Sequence, residues 1–335
     1  MSSALPRLEM LDGWRGISIL CVLAAHLLPM GPKSLHGNAM FGLLGMSLFF
    51  TLSGFLITSF LLKNPSVIDF LLRRFFRIIP LAWLYLAIAL TMAGATPDGW
   101  LAHYLFYANL PPQKLVLLTE HIWSLCLEMQ FYVGIALMFA IFGVRSLLFL
   151  PLIGFAFTML RVADGVLASS VSYYRIDEIL AGCALALIYH QRFHASILEW
   201  LRKAPQWLLL LLLLVSCHEF GGPMNYFRPY LAAMLIGATV VNPDHRLARL
   251  LDNRILVYLA TVSYALYVIH PMLAYGTWLG SGDTIVKYLK RPLLFIVLFL
   301  LAHVSTFYYE RWWNAGGRML AKKFSMNAKT DTNTA

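Results

Sequence analysis

The stretch LDGWRGISILCVLAAHLLPM, residues 11–30, decides how the chain is read. It is apolar enough to cross a bilayer, yet it carries Asp12, Arg15 and His26. Ionisable groups cost several kcal/mol near a bilayer centre, so a spanning helix keeps them mainly where they pair or act. At about 100° per residue, the steps from Arg15 to His26 come to roughly 1100°, within about 20° of the starting direction, so both side chains share one face. Asp12 falls close to that face. A rise of about 1.5 Å per residue sets His26 about 16 Å further along, and the expected polar stripe runs from a membrane surface toward its middle.

The rest of the composition agrees with that reading. Hydrophobic residues make up 60% of the 335 and charged residues 13%, about half the charged content of a soluble domain. The fold class expected is all-α, a polytopic membrane helix bundle. Ten spans suggest themselves, at 13–31, 41–62, 79–95, 121–143, 146–163, 175–190, 206–219, 227–242, 255–274 and 292–313, each near the length that crosses the hydrocarbon. With the N-terminus in the cytoplasm, sixteen Lys and Arg fall on the cytoplasmic side and six, including Arg228, on the other. That split obeys the positive-inside rule and puts both termini in the cytoplasm. The net charge of +10 is thereby assigned to loops facing lipid headgroups, and no nucleic-acid partner is expected. The first apolar segment has no evident small-residue cleavage site and is expected to stay as a helix. Residues 1–320 form the membrane domain in this reading, and 321–335 a polar, disordered cytoplasmic tail. All four cysteines lie in proposed spans, so they read as core residues rather than a disulfide framework.

Four further clusters carry chemistry. FLLRRFFRIIP, 70–80, is expected on the loop between the second and third spans. Arg73, Arg74 and Arg77 would form one cationic patch if that loop is helical, suited either to bidentate phosphate binding or to lipid headgroups. EHIWSLCLEMQFY, 120–132, puts His121, Ser124, Glu128 and Tyr132 on one helical face. Glu128, about two turns inside the membrane, marks an active site, an ion path or a partner for a buried arginine. YYRIDEILAG, 173–182, supplies Arg175, Asp177 and Glu178 at an outer mouth, and SYALYVIHPM, 263–272, supplies Ser263, Tyr267 and His270. Each alone reads as an interhelical contact; together they point to a polar cavity. His103 and His303 are given no role.

These phrases, with FFTLSGFLI at 49–57, occur in an order that resembles the membrane-bound acyltransferase 3 family, bacterial enzymes that O-acylate cell-surface glycans. The resemblance runs from Leu11 to about Glu310. It implies that Arg15 and His26 are the family's essential pair, that Arg74 and Arg77 are its Arg-x-x-Arg associated with an acyl-coenzyme A donor, and that Glu128 is the first acid of its WSL-x-x-E-x-Q-F element. Met129 stands where many members have a second glutamate, and ERWW, 310–313, lacks the usual proline after Glu-Arg. Many members carry a fused esterase-like domain; this sequence shows none, and transfer is expected to be completed within the membrane domain.

The function expected is an O-acyltransferase that moves an acyl group, acetyl by default, from cytoplasmic acyl-coenzyme A to a hydroxyl of an extracytoplasmic glycan or lipid-linked saccharide, without a metal. Arg73, Arg74 and Arg77 would hold the donor phosphates, while the pantetheine arm runs past Arg15 to bring the thioester to His26. Trp123, Ser124, Tyr132, Arg175, Asp177, Tyr267 and His270 would contact the acceptor, with Trp100 a further ring face. His26 is either general base or covalent nucleophile, and the sequence leaves both open. Two other classes remain: a proton-coupled transporter or lipid-linked glycan flippase, and a haem protein using His26 with His270 or His303.

Overall fold

The computed structural model describes residues 9–333, with side chains from Met10 to Phe324. The described residues are helical with no strand. In chain order the helices are α1 Glu9–Leu27, α2 Gly37–Lys63, α3 Val67–Met92, α4 Pro97–Tyr104, α5 Trp123–Phe142, α6 Leu150–Ala163, α7 Ile176–Tyr189, α8 Ala195–Lys203, α9 Gln206–Cys217, α10 Arg228–Val241, α11 Arg246–Leu251, α12 Arg254–Tyr275, α13 Thr284–Leu289, α14 Arg291–Val304 and α15 Arg311–Asn333. Seven described stretches are long and apolar enough to cross a membrane, or eight if α8 and α9, bent by 88° at their junction, are one broken span. The segments expected at 175–190 and 227–242 are helices of 14 residues and that at 206–219 a helix of 12. At about 1.5 Å per residue these are only about 18 to 21 Å long, short of the hydrocarbon thickness.

The chain divides into two compact units. The first takes the described residues up to Ser59 with Leu148–Ser169 and Tyr173–Tyr267; the second takes Phe60–Leu147, Ser170–Ser172 and the described residues from Val268 on.

In the first unit α7 packs against α6 and α10, and α1 against α10 and α11. Leu48, Leu52, Leu185, Leu213, Leu235 and Ile236 lie in its core. The phrase FFTLSGFLI owes its glycine to packing. A Cβ at Gly54 would collide with the Ile179 carbonyl, and one at Gly182 with the Thr51 carbonyl, so α2 and α7 cross backbone to backbone, as small residues allow in membrane helices. Helix α1 stops at Leu27 rather than at 31. Pro29, Pro32 and Gly31, whose φ is +98°, break it. Asn38 then seals the end: its Nδ2 donates to the carbonyls of Ala25 and Leu28, both at 2.7 Å, while its Oδ1 accepts from the Met30 N–H at 3.3 Å. His26 consequently stands in the last turn of its helix.

In the second unit α3 packs on α5 and, along much of its length, on α15. The third span was expected at 79–95 with the arginines on a loop before it; instead α3 starts at Val67 and takes in the whole RRFFR segment. The cause is an N-cap. Ser66 is extended, its Oγ accepts from the Asp69 N–H at 3.2 Å, and Asp69 places a negative charge in the first turn. Pro80 sits inside this helix, and its carbonyl accepts from the Tyr309 hydroxyl at 3.3 Å. The last expected span, 292–313, is α14, continued through a π-turn at Ser305–Glu310 into α15. Without a proline after Glu310–Arg311, nothing in the covalent chain stops the helix there. The expected tail at 321–335 falls on α15 as far as Asn333, and Thr334 and Ala335 lie outside the described residues. All four cysteines are buried and free.

Candidate active site

Because RRFFR is helical, its arginines are brought together. Arg73, Arg74 and Arg77 line a cleft of about 310 Å³ with Phe60, Phe70, Asn314 and Arg318. Each guanidinium on α3 is held differently. Asp69 accepts from Arg73 Nε at 2.6 Å and is itself gripped by the Asn64 amide. Arg74 lies over the Tyr132 ring, 5.8 Å from its centroid, a cation–π arrangement. Arg77 faces Glu310 electrostatically, and Glu310 Oε1 accepts from Ser305 at 2.9 Å and Thr306 at 3.3 Å.

Tyr132 links this cleft to the buried carboxylate. Its hydroxyl donates to Glu128 Oε1 at 2.5 Å, and its ring meets Phe70 edge-on at 5.7 Å. Glu128 is buried in the second turn of α5. Tyr132 was expected beside an acceptor sugar; it stands under Arg74 on the arginine side. At the start of α5, Ser124 Oγ donates to the His121 carbonyl at 3.3 Å, and Trp123 is half-buried. The buried rings of His121 and His270 meet edge-to-face with centroids 5.5 Å apart, although 149 residues separate them in the chain. Tyr85 adds a further ring against His121 at 5.3 Å. His103 proves structural: Nδ1 bonds the Gly99 carbonyl at 2.7 Å and Nε2 the Thr119 hydroxyl at 2.8 Å, and burial holds its pKa below the usual value. Trp100 stacks on Tyr104 within α4, with centroids 5.7 Å apart.

In the first unit Arg15 is half-buried on α1, and His26 is exposed in its last turn. Tyr267 is half-buried on α12. Arg175 and Asp177, expected at an acceptor mouth, are instead committed to ion pairs in the interior. Asp177 Oδ2 accepts from Arg161 Nη1 at 2.5 Å and Thr158 Oγ1 at 3.1 Å. Glu178 accepts from Arg175 Nη2 at 2.9 Å through one oxygen, and from Arg228 Nε and Ser47 Oγ, both at 2.9 Å, through the other. Arg161 and Arg228 also reach the Leu167 carbonyl, at 3.0 and 3.3 Å. Arg228, counted to an outer loop, is therefore fully buried. A positive charge at the first position of α10 reads as loop charge until its carboxylate partner, 50 residues away, is known.

Reasoning from sequence also missed Asn314, Arg318 and Glu310. Arg318 counted only toward the charge split, and Glu310 only toward the end of the resemblance. Asp69 and Arg73, four apart, were a readable helical pair.

The acyltransferase 3 family model, described as an acyltransferase domain, matches residues 8–311. The chain belongs to this family. Among curated relatives, it is 28% identical to the "Putative peptidoglycan O-acetyltransferase YrhL" of Bacillus subtilis strain 168, over 90% of this chain and 54% of that protein. It is 24% identical to the peptidoglycan O-acetyltransferase OatA of Listeria monocytogenes, over 78% of this chain and 48% of that protein. The chain thus spans about half the length of the curated relatives it matches. No solved structure matches it.

Proposed function

We propose that the chain is a membrane-embedded O-acetyltransferase that takes an acyl group from cytoplasmic acyl-coenzyme A and places it on a hydroxyl of an extracytoplasmic glycan or lipid-linked saccharide. The relatives' names support the reaction class. The observation that carries the donor is the arginine cleft, because guanidinium groups converging on one hollow suit phosphate oxygens through paired hydrogen bonds. Asp69 and Tyr132 fix two of them in advance, which lowers the ordering cost of binding.

The chemistry needs a proton acceptor for the sugar hydroxyl. In this reading the hydroxyl oxygen attacks the thioester carbonyl carbon, its proton passes to the His26 imidazole, and the thiolate of coenzyme A leaves. In the alternative, His26 first accepts the acyl group itself. Its exposure at a helix end suits either role. Arg15, about 16 Å back along α1, is too far to touch the same carbonyl and is assigned to the donor's extended arm. Glu128, hydrogen-bonded to Tyr132, is assigned to holding the site's charge balance near the arginines. Trp123, Ser124, Tyr267 and His270 remain the residues proposed to meet the acceptor.

Changing Arg74 and Arg77 together to Ala is expected to weaken acyl-coenzyme A binding by about 1.5 to 3 kcal/mol for each charged hydrogen bond lost, with Lys restoring only part because the fork is gone. Calorimetry on purified protein reads this directly, and unchanged binding would leave the arginines as lipid anchors.

The finer topology, ten crossings of an inner membrane with both termini cytoplasmic, belongs to the same proposal and rests on the charge split. Reporter fusions after Lys63, Arg202 and Lys323 are expected to read cytoplasm, and fusions at Lys33, Lys114 and Lys287 the outside. An external reading after Lys323 would overturn the even count.

A further inference from the structure

Resting on the donor reading above, we infer that Arg318, with Asn314 beside it, recognises a second phosphate of the donor, the monoester on a 3′-phosphorylated adenosine diphosphate. The segment NAGGRM, 314–319, has no part in the roles assigned so far. Its glycines explain why it lies where it does. A Cβ on Gly317 would stand 2.7 Å from the Phe76 Cβ and 3.4 Å from the Leu72 carbonyl oxygen, so α15 is seated directly on the RRFFR turn of α3. Asn314 and Arg318, four residues apart, share a face of α15. Both line the cleft whose other wall carries Arg73, Arg74 and Arg77.

The charges around the cleft do not cancel. Four guanidiniums line the cleft and two meet a carboxylate directly: Asp69 pairs with Arg73 and Glu310 faces Arg77, while Glu128 is one step removed, bonded to the Tyr132 hydroxyl. Among the described residues Arg74 has the Tyr132 ring and no ion pair, and Arg318 is exposed and likewise makes none. Two cations left over on opposing walls suit a ligand with two separate phosphate groups better than a single pyrophosphate. A phosphomonoester carries about −1.5 to −2 at neutral pH, more than any one oxygen-bridged phosphate, and so calls for the cation that no carboxylate already satisfies. The half-buried Phe60, its ring centroid 6.3 Å from that of the buried Phe70, gives the same hollow an aromatic surface for a nucleobase. In a donor built from adenosine, the 3′-phosphate is a separate group on the ribose, apart from the 5′-diphosphate. Arg318 is placed to read it.

The test uses the full chain in phosphatidylcholine nanodiscs, titrated with coenzyme A and with 3′-dephospho-coenzyme A. The unaltered protein is expected to favour coenzyme A about tenfold, in line with one charged contact. Arg318→Gln should lose that preference by weakening coenzyme A alone, and Arg318→Lys should keep part of it. Arg74→Gln should weaken both nucleotides by a similar factor. A preference that survives Arg318→Gln, or an equal loss for both nucleotides, overturns the assignment while leaving the donor reading intact. If neither nucleotide binds the unaltered protein, the donor reading itself fails and the assignment falls with it. Arg318 is exposed, so its replacement leaves the packing of Gly317 on Phe76 in place.

Discussion

His26→Gln is expected to remove acyl transfer while leaving the amount of protein in the membrane and its binding of the donor near normal. The motive is the position of His26: it shares a face with Arg15 on one continuous helix and is exposed in the last turn. A positioned general base contributes about 10²- to 10⁴-fold, and a covalent nucleophile at least as much, so the loss should exceed about a hundredfold under either chemistry. Gln keeps a hydrogen-bonding group of similar length but cannot take up a proton. A histidine that merely held the helix end would be replaced by Gln with little effect, because Asn38 already satisfies the carbonyls there. The readout is acetyl transfer to a glycan acceptor by purified protein, normalised to folded material, beside calorimetric binding of coenzyme A. Turnover within a few fold of wild type would take His26 out of the chemistry. The two chemical routes then separate on one further measurement: only the nucleophile leaves an acylated protein when donor is supplied without acceptor.

The parts of this molecule that the sequence disclosed were those governed by local spacing. Period and composition gave helices, and the pairing of Arg15 with His26 follows from helical geometry alone, so it survived the shortening of α1. The arginine cluster was legible as three residue types at helical spacing, but its placement on a loop was wrong because the Ser66 cap and Asp69 were not weighed against the run of basic residues. What stayed hidden was set by partners distant in sequence. Nothing in YYRIDEILAG announces that Asp177 and Glu178 will be met by Arg161 and Arg228, nor does NAGGRM announce that it will lie on Phe76. An isolated charge in an apolar segment says that a partner exists; it does not say which segment brings it.

That hidden network yields the second large effect. Glu178→Gln is expected to destabilise the protein by about 3 to 5 kcal/mol, the usual result of removing one member of a buried ion pair. The reason is the arithmetic of the cluster. Among the described residues the ion pairs of the network join three buried guanidiniums, Arg161, Arg175 and Arg228, to two buried carboxylates, Asp177 and Glu178, one more cation than anion. Glu178 serves two of the three guanidiniums as well as Ser47. Neutralising it leaves Arg175 and Arg228 facing each other across an uncharged amide, in an interior where water does not screen them. Asp177→Asn removes the partner of Arg161 alone, which keeps the Leu167 carbonyl, and is expected to cost less. Thermal inactivation of the detergent-solubilised protein, followed by loss of monodisperse material, orders the variants: wild type, then Asp177→Asn, then Glu178→Gln. Pairing Glu178→Gln with Arg228→Met should recover part of the loss, because it removes one of the two stranded charges and leaves Arg175 as the other. If Glu178→Gln were instead as heat-stable as wild type but defective in transfer, the network would be a ligand site rather than a structural one, and Arg175 and Asp177 would return to the acceptor role that their sequence positions first suggested.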